Sequence, residues 1–101
     1  MKTDTLNRET ALLKLKKLKG EFASLYGVTR IGIFGSLSRD EAREDSDIDV
    51  VVVMREPDLF FMVHMKEILE QHFNRPVDVI RYRETMNIQL KARIDREAIY
   101  V

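Results

Sequence analysis

The 101-residue chain contains no cysteine and no tryptophan, and it has only four glycines and two prolines. Without thiolates, disulfides and cysteine-ligated zinc sites are excluded. His64 and His72 are the only imidazoles, and no nucleophilic serine or cysteine accompanies them, so we assign neither histidine a role. The absence of cysteine agrees with a reducing compartment.

The chain also lacks net charge and long apolar runs. Seventeen basic side chains balance seventeen acidic ones, so the strongly basic surface of a general nucleic-acid binder is missing and we expect no direct nucleic-acid binding. The apolar runs are too short to cross a bilayer, and the first ten residues contain no signal-peptide core. We therefore expect one cytoplasmic domain over residues 1–101, with no membrane contact.

Hydrophobic periodicity predicts an α/β chain in the order helix, strand, loop, strand, helix, strand, helix. The predicted helices cover 5–26, 58–73 and 85–96, the strands cover 28–34, 47–54 and 77–82, and 98–101 forms a short extended piece. Gly27 ends the first helix as a left-handed cap. The pattern indicates a small sheet with helices packed against it, and it leaves the strand directions open.

The helices differ in how their apolar residues are distributed. Ala11, Leu15, Leu18, Phe22 and Leu25 form one stripe on the first helix, and Ile88 and Ala92, with Leu90 and Ile94, face inward on the third. On the second helix, Phe61, Met65, Ile68, Leu69 and Phe73 share the core side. Leu59, Phe60 and Val63 lie on the other side, where they either pack under a loop or contact a partner or a second copy of the chain.

Two carboxylates, Asp47 and Asp49, stand where the second strand begins its oily run. Side chains two residues apart on a strand share a face, about 6 to 7 Å apart at their Cα atoms. Two carboxylates about 4 Å apart repel by about 4 kcal/mol at an effective dielectric near 20, so the pair needs a counter-charge. If the second and third strands are neighbours, Asp78 joins them. Three hard oxygen donors suit Mg²⁺ or Mn²⁺ and can hold two ions about 3.5 to 4 Å apart, as in phosphoryl or nucleotidyl transfer.

The dipeptide Gly35-Ser36 follows the first strand and supplies a complementary feature. A glycine at a strand end can adopt positive φ and lets the backbone approach a phosphate, which nearby N–H groups and the Ser36 hydroxyl can bind. Arg39 and Arg43 in the following loop could neutralise further phosphate charge. Each feature has an ordinary alternative: a turn, a polar strand edge, or exposed ion pairs with neighbouring acidic residues.

Taken together, these residues resemble a known signature. Gly35-Ser36, ten intervening residues, the sequence Asp47-Ile48-Asp49 and a later aspartate are similar to the nucleotidyltransferase motif of the DNA polymerase β superfamily, in its minimal nucleotidyltransferase (MNT) branch. The resemblance implies a small mixed sheet like the polymerase β palm. It also implies that Gly35 and Ser36 bind nucleotide phosphates, that Asp47, Asp49 and Asp78 ligate metal, and that Asp78 accepts the acceptor hydroxyl's proton.

The resemblance also implies a partner. MNT proteins pair with small helical HEPN proteins, which are often RNase toxins, and act as antitoxins by adenylylating and binding them. We therefore expect Mg²⁺-dependent AMP transfer from ATP to a tyrosine of a HEPN partner. The alternatives are an antitoxin that acts by contact alone, and a transferase for a small-molecule hydroxyl. Ser38 and Asp40 depart from the alanine and glycine that often flank the loop arginine in the family. An acidic residue there disfavours a triphosphate unless it points away.

Overall fold

A computed structural model describes residues 6–43 and 46–101 of the chain. It contains three helices, α1 (Arg8–Tyr26), α2 (Leu59–Phe73) and α3 (Ile88–Glu97). The strands are β1 (Val28–Phe34), β2 (Ile48–Met54), β3 (Val77–Arg81) and β4 (Ile99–Tyr100). The predicted first residue of α1, Thr5, lies outside the described residues. Within those residues, no helix is both long enough and apolar enough to cross a membrane.

The strands form one mixed sheet in the order β3-β2-β1-β4. β1 pairs antiparallel with β2 and with β4, whereas β2 and β3 are parallel and are joined by α2. The sequence predicted the strand positions and left these directions open. The adjacency of β2 and β3 meets the condition under which Asp78 joins the other two aspartates.

Most of the core lies between α1, α2 and one face of the sheet. Ile31, Ile33, Val50 and Val52 from the sheet pack with the buried residues of the two helices, which are Ala11, Leu15, Leu18, Phe22, Met65, Leu69 and Phe73. The predicted inner faces of α1 and α2 are therefore confirmed except at Leu25. Leu25 is 56% exposed because it lies in the last turn of α1, beyond the buried stripe.

The opposite face of the sheet carries a smaller apolar cluster under α3. Phe34, Val51 and Ile94 are its buried members. Two predictions for α3 were wrong. The helix begins at Ile88 rather than at residue 85, because the side chain of Asn87 caps it by accepting a hydrogen bond from the Leu90 N–H at 3.0 Å. Ile88 is 83% exposed and Ala92 is also exposed, because α3 touches the sheet mainly through Ile94.

The ends of α1 and α2 follow from local chemistry. Asn7 and Thr10 form a reciprocal capping box at the start of α1, and Gly27 ends that helix with φ 69°, as predicted. The Asp58 side chain caps α2 by accepting from the Phe61 N–H at 3.1 Å. Asn74 ends α2 in the left-handed conformation that asparagine tolerates better than most residues.

Candidate active site

The strand register brings two of the three predicted carboxylates together. Asp49, at the start of β2, is the register partner of Asp78 on β3 and of Phe34 at the end of β1. Asp49 shares its sheet face with Val51, which packs under α3, so the carboxylates lie on the α3 side of the sheet. Asp47 is exposed and precedes β2. The site therefore forms at one edge of the sheet, beside the turn that leaves β1.

Burial and neighbouring charges shift the pKa of Asp49. Burial raises the pKa of this carboxyl, and the negative charges of Asp78 and Asp47 raise it further. The Arg93 guanidinium opposes this increase in pKa, because its Nη2 lies 3.8 Å from Asp49 Oδ2. The net pKa is above the ordinary value, so the site disfavours the ionised form of Asp49 unless a cation compensates it.

The turn after β1 approaches the Asp49 carboxylate closely. Gly35 has φ 76°, in the left-handed region, and a Cβ at this position would overlap Asp49 Oδ2. The Gly35 carbonyl accepts from the Ser38 N–H at 3.1 Å and from the Ser38 hydroxyl at 2.8 Å, while the Ser36 carbonyl accepts from the Glu41 N–H at 2.8 Å. Glycine is required here both by the backbone angle and by the available space.

Ser38 and Asp40, which depart from the family pattern, both have local functions. Ser38 is buried and its hydroxyl closes the Gly35 turn. Asp40 adopts φ 59°, and its carboxylate accepts from the backbone N–H of Arg8 at 3.2 Å, at the first turn of α1. A carboxylate is favourable at a helix N-terminus. The Asp40 carboxylate is therefore directed toward the first turn of α1.

Arg39 is not free in the structure. Its Nε donates to Glu41 Oε1 at 2.9 Å and its Nη1 donates to Glu97 Oε2 at 2.8 Å, and these contacts, the Glu41 hydrogen bond first, raise its pKa. Arg43, the second arginine predicted to face phosphate, is exposed, and its carbonyl accepts from the side chain of Arg75 at 2.9 Å. Arg39 is thus the loop arginine that lies at the Gly35 turn.

Two further residues, Arg93 and Glu97 on α3, lie at the site and were not predicted from the sequence. Glu97 is only 12% exposed, and its Oε1 accepts from the Gly35 N–H at 3.1 Å and from Arg93 Nε at 3.3 Å. Burial alone would raise the pKa of Glu97, but the Gly35 N–H, Arg39 and Arg93 together hold it below its ordinary value. The only sequence signal was their spacing of four residues, which usually marks a surface ion pair.

The carboxylates fit a hard divalent cation by their chemistry. Asp49 and Asp78 place two oxygen donors in register, and Asp47 lies two residues away along the chain. Across residues 6–43 and 46–101, no three histidine, aspartate or glutamate side chains are arranged to hold a metal ion. Among the residues that the structure describes, the Arg93 guanidinium is the cation that contacts Asp49.

The in-register carboxylates, the glycine turn beside them and the mixed sheet are the features expected of a nucleotidyltransferase site. Comparison with known proteins agrees. The nucleotidyltransferase domain family matches residues 15–100. The protein adenylyltransferase MntA of Thermococcus cleftensis is 36% identical over 84 residues, which cover 82% of this chain and 84% of MntA.

Solved structures share the fold. A structure that bears the name minimal nucleotidyltransferase superposes with a TM-score of 0.79 and 31% identity, covering 96% of this chain and 98% of the other. A chain in the structure of a tri-AMPylated Shewanella oneidensis HEPN toxin in complex with MNT antitoxin shares the fold, with a TM-score of 0.68 and 19% identity, covering 92% of this chain and 70% of that one. The chain belongs to the nucleotidyltransferase domain family, and it is a nucleotidyltransferase.

Proposed function

We propose that this protein is an antitoxin that transfers AMP from ATP to a tyrosine hydroxyl of a HEPN partner in a Mg²⁺-dependent reaction. The observation that carries the proposal is the in-register pair Asp49 and Asp78 beside the Gly35 turn. Support for the acceptor comes from relatives: MntA of Thermococcus cleftensis is named a protein adenylyltransferase, and the Shewanella oneidensis complex contains an AMPylated HEPN toxin.

In this proposal the turn and the aspartates have separate tasks. The Gly35-Ser36 turn and Arg39 bind the phosphates of ATP, because backbone N–H groups, a hydroxyl and a guanidinium are suitable donors to phosphate oxygens. Asp78 accepts the proton of the tyrosine hydroxyl. The phenolic oxygen then forms a bond to the α-phosphorus, and the bond from that phosphorus to the bridging oxygen breaks, which releases pyrophosphate.

Asp47, Asp49 and Asp78 would hold one or two Mg²⁺ ions, with Mn²⁺ as a substitute. When bound, the ions neutralise charge on the phosphates and on the attacking and leaving oxygens. The raised pKa of Asp49 agrees with this assignment, because a site that penalises an ionised carboxylate gains more from a bound cation.

The predicted partner surface is the exposed apolar side of α2. Leu59 and Phe60 are each 78% exposed and Val63 is 48% exposed, so the alternative in which a loop covers them is wrong for the described part of the chain. At about 3.3 Å per residue, β2 ends about 17 Å along the strand from Asp49. The patch on α2 follows that far end of the strand. A partner that contacts this patch therefore has to extend around the sheet edge to present a hydroxyl to Asp78.

A second candidate function is neutralisation of the partner by contact alone. One observation favours it: the Gly35 N–H and the Arg39 guanidinium, which are proposed to bind phosphate, already contact Glu97. A transferase for a small-molecule hydroxyl is the third candidate. Affinity capture from native-host lysate, followed by addition of Mg²⁺ and labelled ATP to the captured complex, separates the three.

We expect a stable helical partner to be captured and then labelled. A captured partner that stays unlabelled would support neutralisation by contact. If no protein is captured, and a small-molecule hydroxyl such as an aminoglycoside accepts the label, the proposed protein acceptor is wrong.

A further inference from the structure

A carboxylate from α3 lies among the donors that are proposed to bind phosphate. Glu97 accepts hydrogen bonds from the Gly35 N–H at 3.1 Å, from Arg39 at 2.8 Å and from Arg93 at 3.3 Å. One backbone N–H and two guanidinium groups converging on a single anion make the kind of donor set that phosphate oxygens use. In the structure, this anion-binding position is filled by a residue of the chain itself.

Arg93 is poorly satisfied by its contacts. Its side chain is 42% exposed, its Nη2 lies a long 3.8 Å from Asp49 Oδ2, and its guanidinium carbon lies 5.5 Å from the centre of the Phe34 ring. Its Nη2 lies 3.0 Å from the point that a Cβ on Gly35 would occupy, so it borders the turn directly. Nε donates to Glu97, whereas Nη1 and Nη2 donate no hydrogen bond within residues 6–43 and 46–101, so these two nitrogens are available to bind a phosphate at the turn.

We propose that Arg93 is a further triphosphate-binding residue, and that Glu97 occupies the shared donors in the free protein and is displaced by the nucleotide. This inference rests on the proposed function, because it assumes that ATP binds at the Gly35 turn. A triphosphate carries several negative charges, so it and the Glu97 carboxylate repel each other and compete for the same N–H groups. Displacement frees both Arg39 and Arg93 for the phosphates.

Competition between Glu97 and phosphate can be distinguished from a purely structural function of the Arg93–Glu97 ion pair. An ion pair four residues apart on a helix adds little to stability when it is partly exposed. If Glu97 only held the turn and Arg39 in place for phosphate, removing its charge would weaken nucleotide binding. If Glu97 competes with phosphate, removing its charge strengthens binding. The two functions of Glu97 therefore predict opposite changes in nucleotide affinity when its charge is removed.

The experiment is isothermal titration calorimetry of the full chain with Mg·ATP and, separately, with Mg²⁺ and inorganic tripolyphosphate, which lacks the nucleoside. Arg93→Gln should weaken both ligands at least about tenfold, which is the effect of losing one charge-assisted hydrogen bond. Glu97→Gln keeps an acceptor for the Gly35 N–H and should tighten both ligands by about threefold to tenfold, because one competing charge is gone. Circular dichroism confirms that each variant is folded.

Two exposed residues supply matched controls. Arg96→Gln makes the same charge change one helical turn from Arg93, and Glu67→Gln makes the same change as Glu97→Gln on α2. We expect each control to change affinity less than twofold. An Arg93 variant that binds like the Arg96 variant, or a Glu97 variant that binds more weakly than wild type, would overturn the inference while the proposed function stands. Wild-type protein that binds neither ligand would overturn both.

Discussion

Replacing Gly35 with alanine tests the close approach of the turn to Asp49. The φ of 76° alone costs an alanine about 1–2 kcal/mol. The new Cβ would also overlap Asp49 Oδ2 and lie 3.0 Å from Arg93 Nη2. Forcing a methyl group into a well-packed region costs about 1–3 kcal/mol more. The two costs together predict that Gly35→Ala lowers the free energy of unfolding by about 2–5 kcal/mol. Urea denaturation at pH 7, followed by far-UV circular dichroism, measures the loss.

Gly27 provides a matched control for the cost of placing an alanine at a positive φ. It has φ 69°, but the atom nearest to a Cβ built there is Arg55 Cβ at 3.9 Å, an ordinary contact. Gly27→Ala should therefore lose only about 1–2 kcal/mol. In an Asp49→Ala background the nearest clashing atom is gone, and the cost of Gly35→Ala should fall toward that of Gly27→Ala. Equal costs for the two glycine variants in the wild-type background would refute the reasoning.

Three further predictions concern charge and surface. Asp49→Asn should stabilise the free protein, because burial disfavours the ionised carboxylate. In wild type, Mg·ATP at a hundred times its Kd should add roughly 2.7 kcal/mol to the free energy of unfolding. Asp49→Asn should abolish most of that gain, as measured by urea denaturation. Hydrogen bonds from Lys66 and from the Val77 N–H lower the pKa of Glu70 in the folded protein. The ionised Glu70 therefore stabilises the fold at a pH above its pKa in the unfolded chain, about 4.3. This contribution is lost as the pH falls through the lower pKa of the folded state. Glu70→Gln should thus be less stable than wild type at pH 7 and should approach it in acid, as followed by urea denaturation across pH. Phe60→Glu should weaken capture of the helical partner at least about tenfold, as expected for an apolar anchor at an interface.

Each of these predictions has a result that would contradict it. A wild-type denaturation curve that does not respond to Mg·ATP would argue against a nucleotide site. A constant stability difference between Glu70→Gln and wild type from pH 7 to pH 3 would show that the contacts of Glu70 do not depend on its charge. Ile88→Glu, an equally exposed apolar site on α3, is the control for Phe60. Equal partner binding by both variants would remove α2 as the contact surface.

The elements that were predicted well have strong local signals. Both ends of β1 were predicted correctly, because Gly27 precedes and Gly35 follows a run of strand-forming, mostly apolar residues. The inner face of α2 was predicted because a 15-residue helix with three buried residues shows clear periodicity. Gly35, Asp47 and Asp49 lie close together in sequence, and the proximity of the more distant Asp78 could be inferred once β2 and β3 were taken as neighbours.

The parts that were missed depend on tertiary contacts. Ile88 and Ala92 were predicted to face inward because they are apolar and four residues apart, but a short helix anchored by Ile94 leaves them in solvent. Arg93 and Glu97 are separated from the Gly35 turn by more than fifty residues of chain, and nothing local distinguishes them from a surface pair. Their function at the site follows from the path of α3 back across the sheet.

The most direct test of the central claim compares ATP labelled at the α-phosphate with ATP labelled at the γ-phosphate. Wild-type protein, its captured partner and MgCl₂ are incubated with each label, beside an Asp47→Asn/Asp49→Asn control. Transfer of AMP predicts a partner band labelled from the α-phosphate only, with the γ label released as pyrophosphate, and no band with the control. A partner labelled from the γ-phosphate, or an unlabelled partner in a complex that binds Mg·ATP, would contradict the account.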